Sequence, residues 1–226
     1  MPCKRKIVHK DVSAQLDELA LVTDRPLIVT DADEVLFRFL SCFEVFLHGR
    51  ELYLDLASFA LTGNVRRRVD DQPVDGAEIP VLLGQFFNDH AEHIPPVPGA
   101  ADALAVLSRK VQIVVLSNIP LTQKPARLRG MEKCDMNYPL IANLGGKGGA
   151  VAAMADRVDA PVFFIDDLPQ QIRSVAIAAE DVRLVHFVAD QRLAALLEPA
   201  TDCHHRSDDW AIARCYIENE LNVLGY

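Results

Sequence analysis

The stretch PLIVTDADEVL, residues 26–36, sets an apolar run directly against two aspartates, Asp31 and Asp33. Pro26 to Thr30 has the length of one buried strand and offers almost no polar side chain to water, as a strand covered on both faces would. Outward along the chain three further runs repeat the pattern: Val111 to Leu116, Pro161 to Ile165 and Val182 to Val188. Helical spacing fills the segments Gly99 to Arg109, Gly148 to Arg157, Pro169 to Ala179 and Gln191 to Leu197. Strand and helix in alternation predict an α/β fold: a doubly wound parallel sheet with helices on both faces.

In such sheets ligands bind outside the carboxyl ends of the strands, near a topological switch. Here the ends of the first three runs read Asp31-Ala32-Asp33, Ser117-Asn118 and Asp166-Asp167. One Asp, Asn or Ser at a strand end commonly serves as a helix cap or turn former. Agreement of three ends is a sharper signal. Converging carboxylates repel one another unless a cation offsets them, and a hard divalent ion with oxygen ligands, Mg²⁺, answers that need.

These features resemble the haloacid dehalogenase-like superfamily, whose pattern is a strand followed by D-x-D, a second strand ending in Ser or Thr, a lone Lys, and a late acidic pair. PLIVTDADEVL is similar to its first motif, VQIVVLSN with Ser117 to its second, and PVFFIDD with Asp166 and Asp167 to its fourth. Lys124, Lys133 and Lys147 compete for the third. Lys147 is preferred because it opens the helix before the last acidic strand; Lys124, followed by Pro125, is the reserve. The chain departs from the pattern at Glu34, where the family often has Gly, and at Val35, where Thr is frequent.

The resemblance implies a Rossmann-like core with a small α-helical cap, and an aspartyl-phosphate mechanism. By it, Asp31 is the nucleophile, Asp33 the general acid and base, and Ser117 and Lys147 bind and neutralise the transferring phosphoryl group. Ser117, Asn118 and Lys147 form the expected phosphate-binding set. Asp31, the main-chain carbonyl of Asp33, Asp166 and Asp167 form the expected Mg²⁺ set. Two residues along a strand the side chain returns to the same face, which is the expected placement of Asp33 beside Asp31. That second aspartate favours phosphate over halide as the leaving chemistry.

The expected layout is a core at 22–37 and 95–200, a helical cap at 38–94 and a C-terminal helical extension at 201–226. Within the cap, Phe43 to Leu61 and Ile79 to His93 read as helical. Arg66-Arg67-Arg68 reads as a solvated helix face, with a second anionic group of the substrate as the alternative. The tail from Asp208 to Leu224 has helical periodicity around Trp210, Ala213, Tyr216, Ile217 and Leu221, and is expected to pack on the core or on a second copy in a homodimer.

A formal charge of -9 argues against nucleic acid as a partner. The five cysteines, Cys3, Cys42, Cys134, Cys203 and Cys215, are scattered without a C-x-x-C pair, as in a reduced cytoplasmic protein. No stretch approaches a membrane span or a signal peptide's apolar core. Gly145-Gly146-Lys147-Gly148-Gly149 fails the P-loop pattern, which needs Gly at 141 and Ser or Thr at 148. A receiver domain is excluded by motif order, since the acidic pair comes last. Zinc hydrolysis is disfavoured, and neither His90-x-x-His93 nor Cys203-His204-His205 is read as a metal site. The expected function is Mg²⁺-dependent hydrolysis of a small phosphorylated metabolite. Phosphomutase or phosphotransferase chemistry on the same core, and a non-catalytic binding role, are the alternatives.

Overall fold

The computed structural model describes residues 8–226. Its elements in chain order are α1 (Lys10–Glu18), β1 (Leu27–Thr30), α2 (Phe39–His48), β2 (Leu52–Leu54), β3 (Val65–Arg67), α3 (Glu78–His90) and α4 (Ala100–Leu107). After these come β4 (Gln112–Ser117), α5 (Lys124–Lys133), β5 (Leu140–Ala142), α6 (Gly148–Ala155), β6 (Val162–Asp166) and α7 (Pro169–Ala178). The chain closes with β7 (Arg183–Phe187), α8 (Gln191–Ala194), β8 (His205–Ser207) and α9 (Trp210–Val223).

Six strands form one parallel sheet in the order β5-β4-β1-β6-β7-β8. The four runs read from sequence are β1, β4, β6 and β7. Their predominantly apolar character has a direct cause: alternate residues feed separate cores on the two faces. Ile28, Ile113, Val115, Phe163 and Ile165 join one core with Leu104 of α4 and Trp210 and Ile217 of α9. Leu27, Val29, Val114, Leu116 and Phe164 join the other with Leu16 of α1, Val151 of α6 and Ile172 of α7. From β1 the chain builds outward through β4 and β5, then returns to β6 on the opposite side. The switch point therefore lies at the carboxyl end of β1.

Residues 38–94 are not wholly helical. The stretch Phe43 to Leu61, read as helix, leaves that state after His48 and forms an antiparallel hairpin of β2 with β3. A left-handed backbone at Glu51 (φ 56°) breaks the helix, and the alternating Leu52-Tyr53-Leu54 suits a strand better. Arg66 and Arg67 consequently lie on a strand, not a helix face. Arg66 pairs with Asp71 at 3.5 Å, Arg67 with Glu78 at 2.6 Å, and Arg68 lies over the Tyr53 ring.

The C-terminal segment is also more than a helix, because His205–Ser207 extends the sheet as β8. α9 buries Trp210, Ala213, Ile217 and Leu221 on this chain's own core, and the Trp210 indole donates to the Val35 carbonyl at 2.8 Å. Cys42, Cys134, Cys203 and Cys215 are free thiols, while Cys3 lies outside the described residues. Among the described residues no helix is long and apolar enough to cross a membrane.

Candidate active site

Asp31 follows the last residue of β1 and its N–H donates to the Ile165 carbonyl of β6 at 2.8 Å, which seats it beside Asp166. The strand alternation that sends Val29 and Phe164 into the α6–α7 core sends Asp31 and Asp166 toward the same face. Lys147, the residue before α6, meets them there. Its Nζ lies 2.7 Å from Asp31 Oδ1 and 2.7 Å from Asp166 Oδ2, with its side chain 1% exposed. Lys124 instead donates to Gln15 Oε1 at 2.9 Å, and Lys133 to Glu92 Oε1 at 2.7 Å. Of the three sequence candidates, Lys147 is the one in contact with the carboxylates.

The glycines around Lys147 belong to packing. A Cβ at Gly148 would fall 2.1 Å from the Ser174 carbonyl oxygen on α7, so the two helices approach too closely there for any other residue. Gly145 adopts a left-handed φ of 78° in the preceding turn. Gln171 Oε1 accepts from the Lys147 N–H at 2.8 Å, fixing the backbone from which the lysine reaches the crevice.

Asp33 is placed by a different device from the strand period expected of it. The strand ends at Thr30, and the chain turns through Ala32 and Glu34, the latter in the left-handed region at φ 58°. That conformation explains why glycine suits this position in the family pattern. Glu34 tolerates it while its carboxylate accepts from the Leu40 N–H near the start of α2. Burial, only partly offset by that bond, pushes the Glu34 carboxyl up to about 7. Asp33 Oδ1 then meets Arg127 Nη2 of α5 at 2.6 Å.

Arg127 is the residue that the sequence reading missed. Its side chain is 0% exposed, its guanidinium lies 4.9 Å from the Phe37 ring centroid and 5.6 Å from that of Phe87, and its Nε and Nη1 have no partner among the described residues. One of two arginines in the polar segment KPARLRGMEK, it carries no motif, so nothing in the sequence marks it as buried.

Ser117 is wholly buried at the end of β4, and its Oγ has no hydrogen-bond partner among the described residues. Asn118 donates from Nδ2 to the Gly145 carbonyl at 2.9 Å and accepts from Asn143 Nδ2 at 2.7 Å. Asp167 is 7% exposed, and its main-chain oxygen lies 2.9 Å from His186 Nε2. Three of the histidines discounted as metal ligands have structural neighbours: His90 packs on Phe86, His204 Nδ1 accepts from the Leu184 N–H, and His205 stacks on Tyr216.

Electrostatically the site is short of positive charge. Burial raises the Asp33 carboxyl above its ordinary value against the opposing pull of Arg127. Burial raises Asp166 against the pull of Lys147, and burial with the neighbouring Asp166 and Asp31 raises Asp167. Burial alone would lower the Lys147 ammonium, but Asp166 and Asp31 outweigh it and hold the lysine charged. Asp31, Asp166 and Asp167 each offer a carboxylate oxygen within 4.8 Å of the others. Three hard oxygen donors with one lysine among them fit a divalent cation. The Asp33 carboxylate stands outside this group, engaged by Arg127.

No protein-family model and no curated protein matches the chain. Solved structures do. A haloacid dehalogenase-family hydrolase from Deinococcus radiodurans R1, with bound phosphate and sodium, is similar at TM-score 0.58 and 16% identity, covering 87% of this chain and 96% of that one. A haloacid dehalogenase-like protein of unknown function from Agrobacterium tumefaciens C58 is similar at TM-score 0.60 and 12% identity, covering 88% and 99%. YfnB from Bacillus subtilis, named for the same hydrolase family and bound to magnesium, is similar at TM-score 0.57 and 13% identity, covering 91% and 100%. The chain has the haloacid dehalogenase-like fold, with an acidic cluster at the carboxyl ends of its central strands.

Proposed function

We propose that this protein is a Mg²⁺-dependent phosphatase that hydrolyses a small phosphate monoester through an aspartyl-phosphate on Asp31. The observation that carries the reading is the different tethering of two neighbouring carboxylates. Asp31 is ion-paired with Lys147 at 2.7 Å, and Asp33 is held by Arg127 at 2.6 Å; both line one cavity. Carboxyl groups in one crevice but in different environments are suited to different tasks.

Asp31, ion-paired with Lys147, attacks phosphorus while the ester oxygen departs. Asp33 gives that oxygen its proton, then takes one from the water that cleaves the acyl phosphate. The partnerless Ser117 hydroxyl donates to a phosphoryl oxygen, and the Lys147 ammonium offsets the charge of the phosphoryl group, an electrostatic contribution that is commonly the largest in such sites. Asp31, Asp166 and Asp167, with the main-chain carbonyl of Asp33, would hold Mg²⁺. When bound, the ion supplies charge neutralisation at the phosphoryl oxygens.

The test is release of inorganic phosphate from an aryl phosphate and from a panel of phosphorylated metabolites, with Mg²⁺ and with EDTA, by wild type and Asp31→Asn. Turnover that needs Mg²⁺ and disappears in the variant supports the reading. Equal turnover by the variant, or full activity in EDTA, would falsify it.

A further inference from the structure

The carboxylates form only one end of the cavity that Asp31 and Asp33 line. Its volume is about 260 Å³, and its remaining wall is built by residues 39–87 together with Leu168 and Leu193. Phe39, Leu56, Phe59, Leu61, Leu83 and Phe87 face into it. Among the residues that line it, none is Lys, Arg or His.

Beyond the carboxylates at its floor, its polar side chains are Ser58 and Asn118. Both already hold partners: the Asn64 amide donates to the Ser58 hydroxyl and carbonyl, while Asn118 is engaged by Gly145 and Asn143. The nearby arginines of β3 are paired with Asp71 and Glu78, outside the cavity.

We propose, resting on the phosphatase reading above, that the organic part of the substrate is apolar: an aryl or branched-alkyl phosphate monoester. Size sets the scale of what the wall can cover. A cavity of about 150 Å³ holds a benzene molecule, so this one takes a phosphoryl group and a single ring, or on the order of six to eight carbons. Chemistry excludes the common alternatives. The hydroxyls of a sugar phosphate would leave water for walls that, Ser58 and Asn118 aside, offer no polar side chain in return. A second carboxylate or phosphate would enter a site already rich in negative charge, with no cation on the wall to receive it. An apolar group loses nothing by leaving water and covers the phenylalanine and leucine surface.

The experiment compares kcat/KM of the wild-type protein with Mg²⁺ for phenyl phosphate, isobutyl phosphate, glucose 6-phosphate and 3-phosphoglycerate. Acetyl phosphate serves as a control whose organic part is too small to read the wall. The expected result is a preference of about 100-fold for phenyl or isobutyl phosphate over the two polar esters. Leu83→Asn, on the partly exposed side of the wall, is expected to narrow that preference about tenfold.

Comparable or faster turnover of glucose 6-phosphate or 3-phosphoglycerate overturns the apolar assignment and leaves the phosphatase reading standing. Loss of all turnover, acetyl phosphate included, overturns the phosphatase reading instead. The wall is then tested by calorimetric titration with phenylphosphonate and phosphonoacetate. Tighter binding of phenylphosphonate supports the apolar site, and equal or weaker binding overturns it.

Discussion

The floor and the roof of the cavity are built on opposite principles. The floor gathers Asp31, Ser117, Lys147, Asp166 and Asp167 from points far apart in the chain and locks them with buried charge, as in the two 2.7 Å contacts of Lys147. The roof comes mainly from one stretch, residues 39–87, and is held by aromatic packing. Phe86, fully buried, meets Phe39, Phe43 and Phe46 edge to face at ring distances of 5.4, 5.4 and 5.5 Å. Charge at the floor requires fixed geometry, which a parallel sheet buried on both faces supplies. The roof needs shape and dryness only, which a local cluster can provide. A floor and a roof with separate supports can be altered separately.

Lys147→Met is expected to have the largest effect. It removes the counter-charge of two buried carboxylates, so phosphate release should vanish and unfolding by urea should show a loss of about 3–5 kcal/mol. A stabilised variant would show that the lysine is not what holds the floor together.

Phe86→Ala strikes the roof without touching the cavity lining, and large-to-small changes of this kind cost about 3–5 kcal/mol. The same urea titration should register it. Because the support is separate, the residual folded protein should keep measurable acetyl phosphate hydrolysis; complete loss would show that floor and roof act as one unit.

Gly148→Ala sharpens the floor's side of the comparison. Its Cβ would collide with the Ser174 carbonyl oxygen at 2.1 Å and force α6 from α7. Overpacking of this kind costs about 1–3 kcal/mol, and the shift carries Lys147 with it, so kcat should fall more than KM changes.

The smallest effect is expected at Glu92, just beyond the roof. Hydrogen bonds from Lys133 and Arg129 of α5 hold its carboxyl at about 2, below the ordinary value of 4.5. A carboxyl depressed on folding adds stability above its unfolded value, and that contribution is lost as pH falls toward the folded one. The melting temperature of Glu92→Gln should therefore lie slightly below wild type at pH 7, with the gap closing between about pH 4.5 and 2. The two cations are each 54% exposed, so added salt should narrow the gap as well. A gap that widens in acid would contradict the pairing.

The legible parts of the chain were those whose signal is local. Long apolar runs marked β1, β4, β6 and β7, and their acidic or hydroxyl ends marked the crevice. β5 and β8 were not legible, because three residues each, Leu140–Ala142 and His205–Ser207, are too few for a period to show. α5 was missed because KPARLRGMEK has no apolar stripe. The hairpin hid because Phe43 to Leu61 is apolar enough to pass for helix until Gly49 and Glu51 turn it.

By itself, then, the sequence determined the fold class and the residue types at the strand ends, since period and strand-end chemistry are written in consecutive residues. The sequence favoured Lys147 over Lys124 by position only; tertiary structure put it in contact with Asp31, and alone decided that Arg127 holds Asp33 and that the walls above them are apolar. Each of these depends on which distant segments are brought together, and on burial, which turns an ordinary arginine or lysine into the partner of a particular carboxylate.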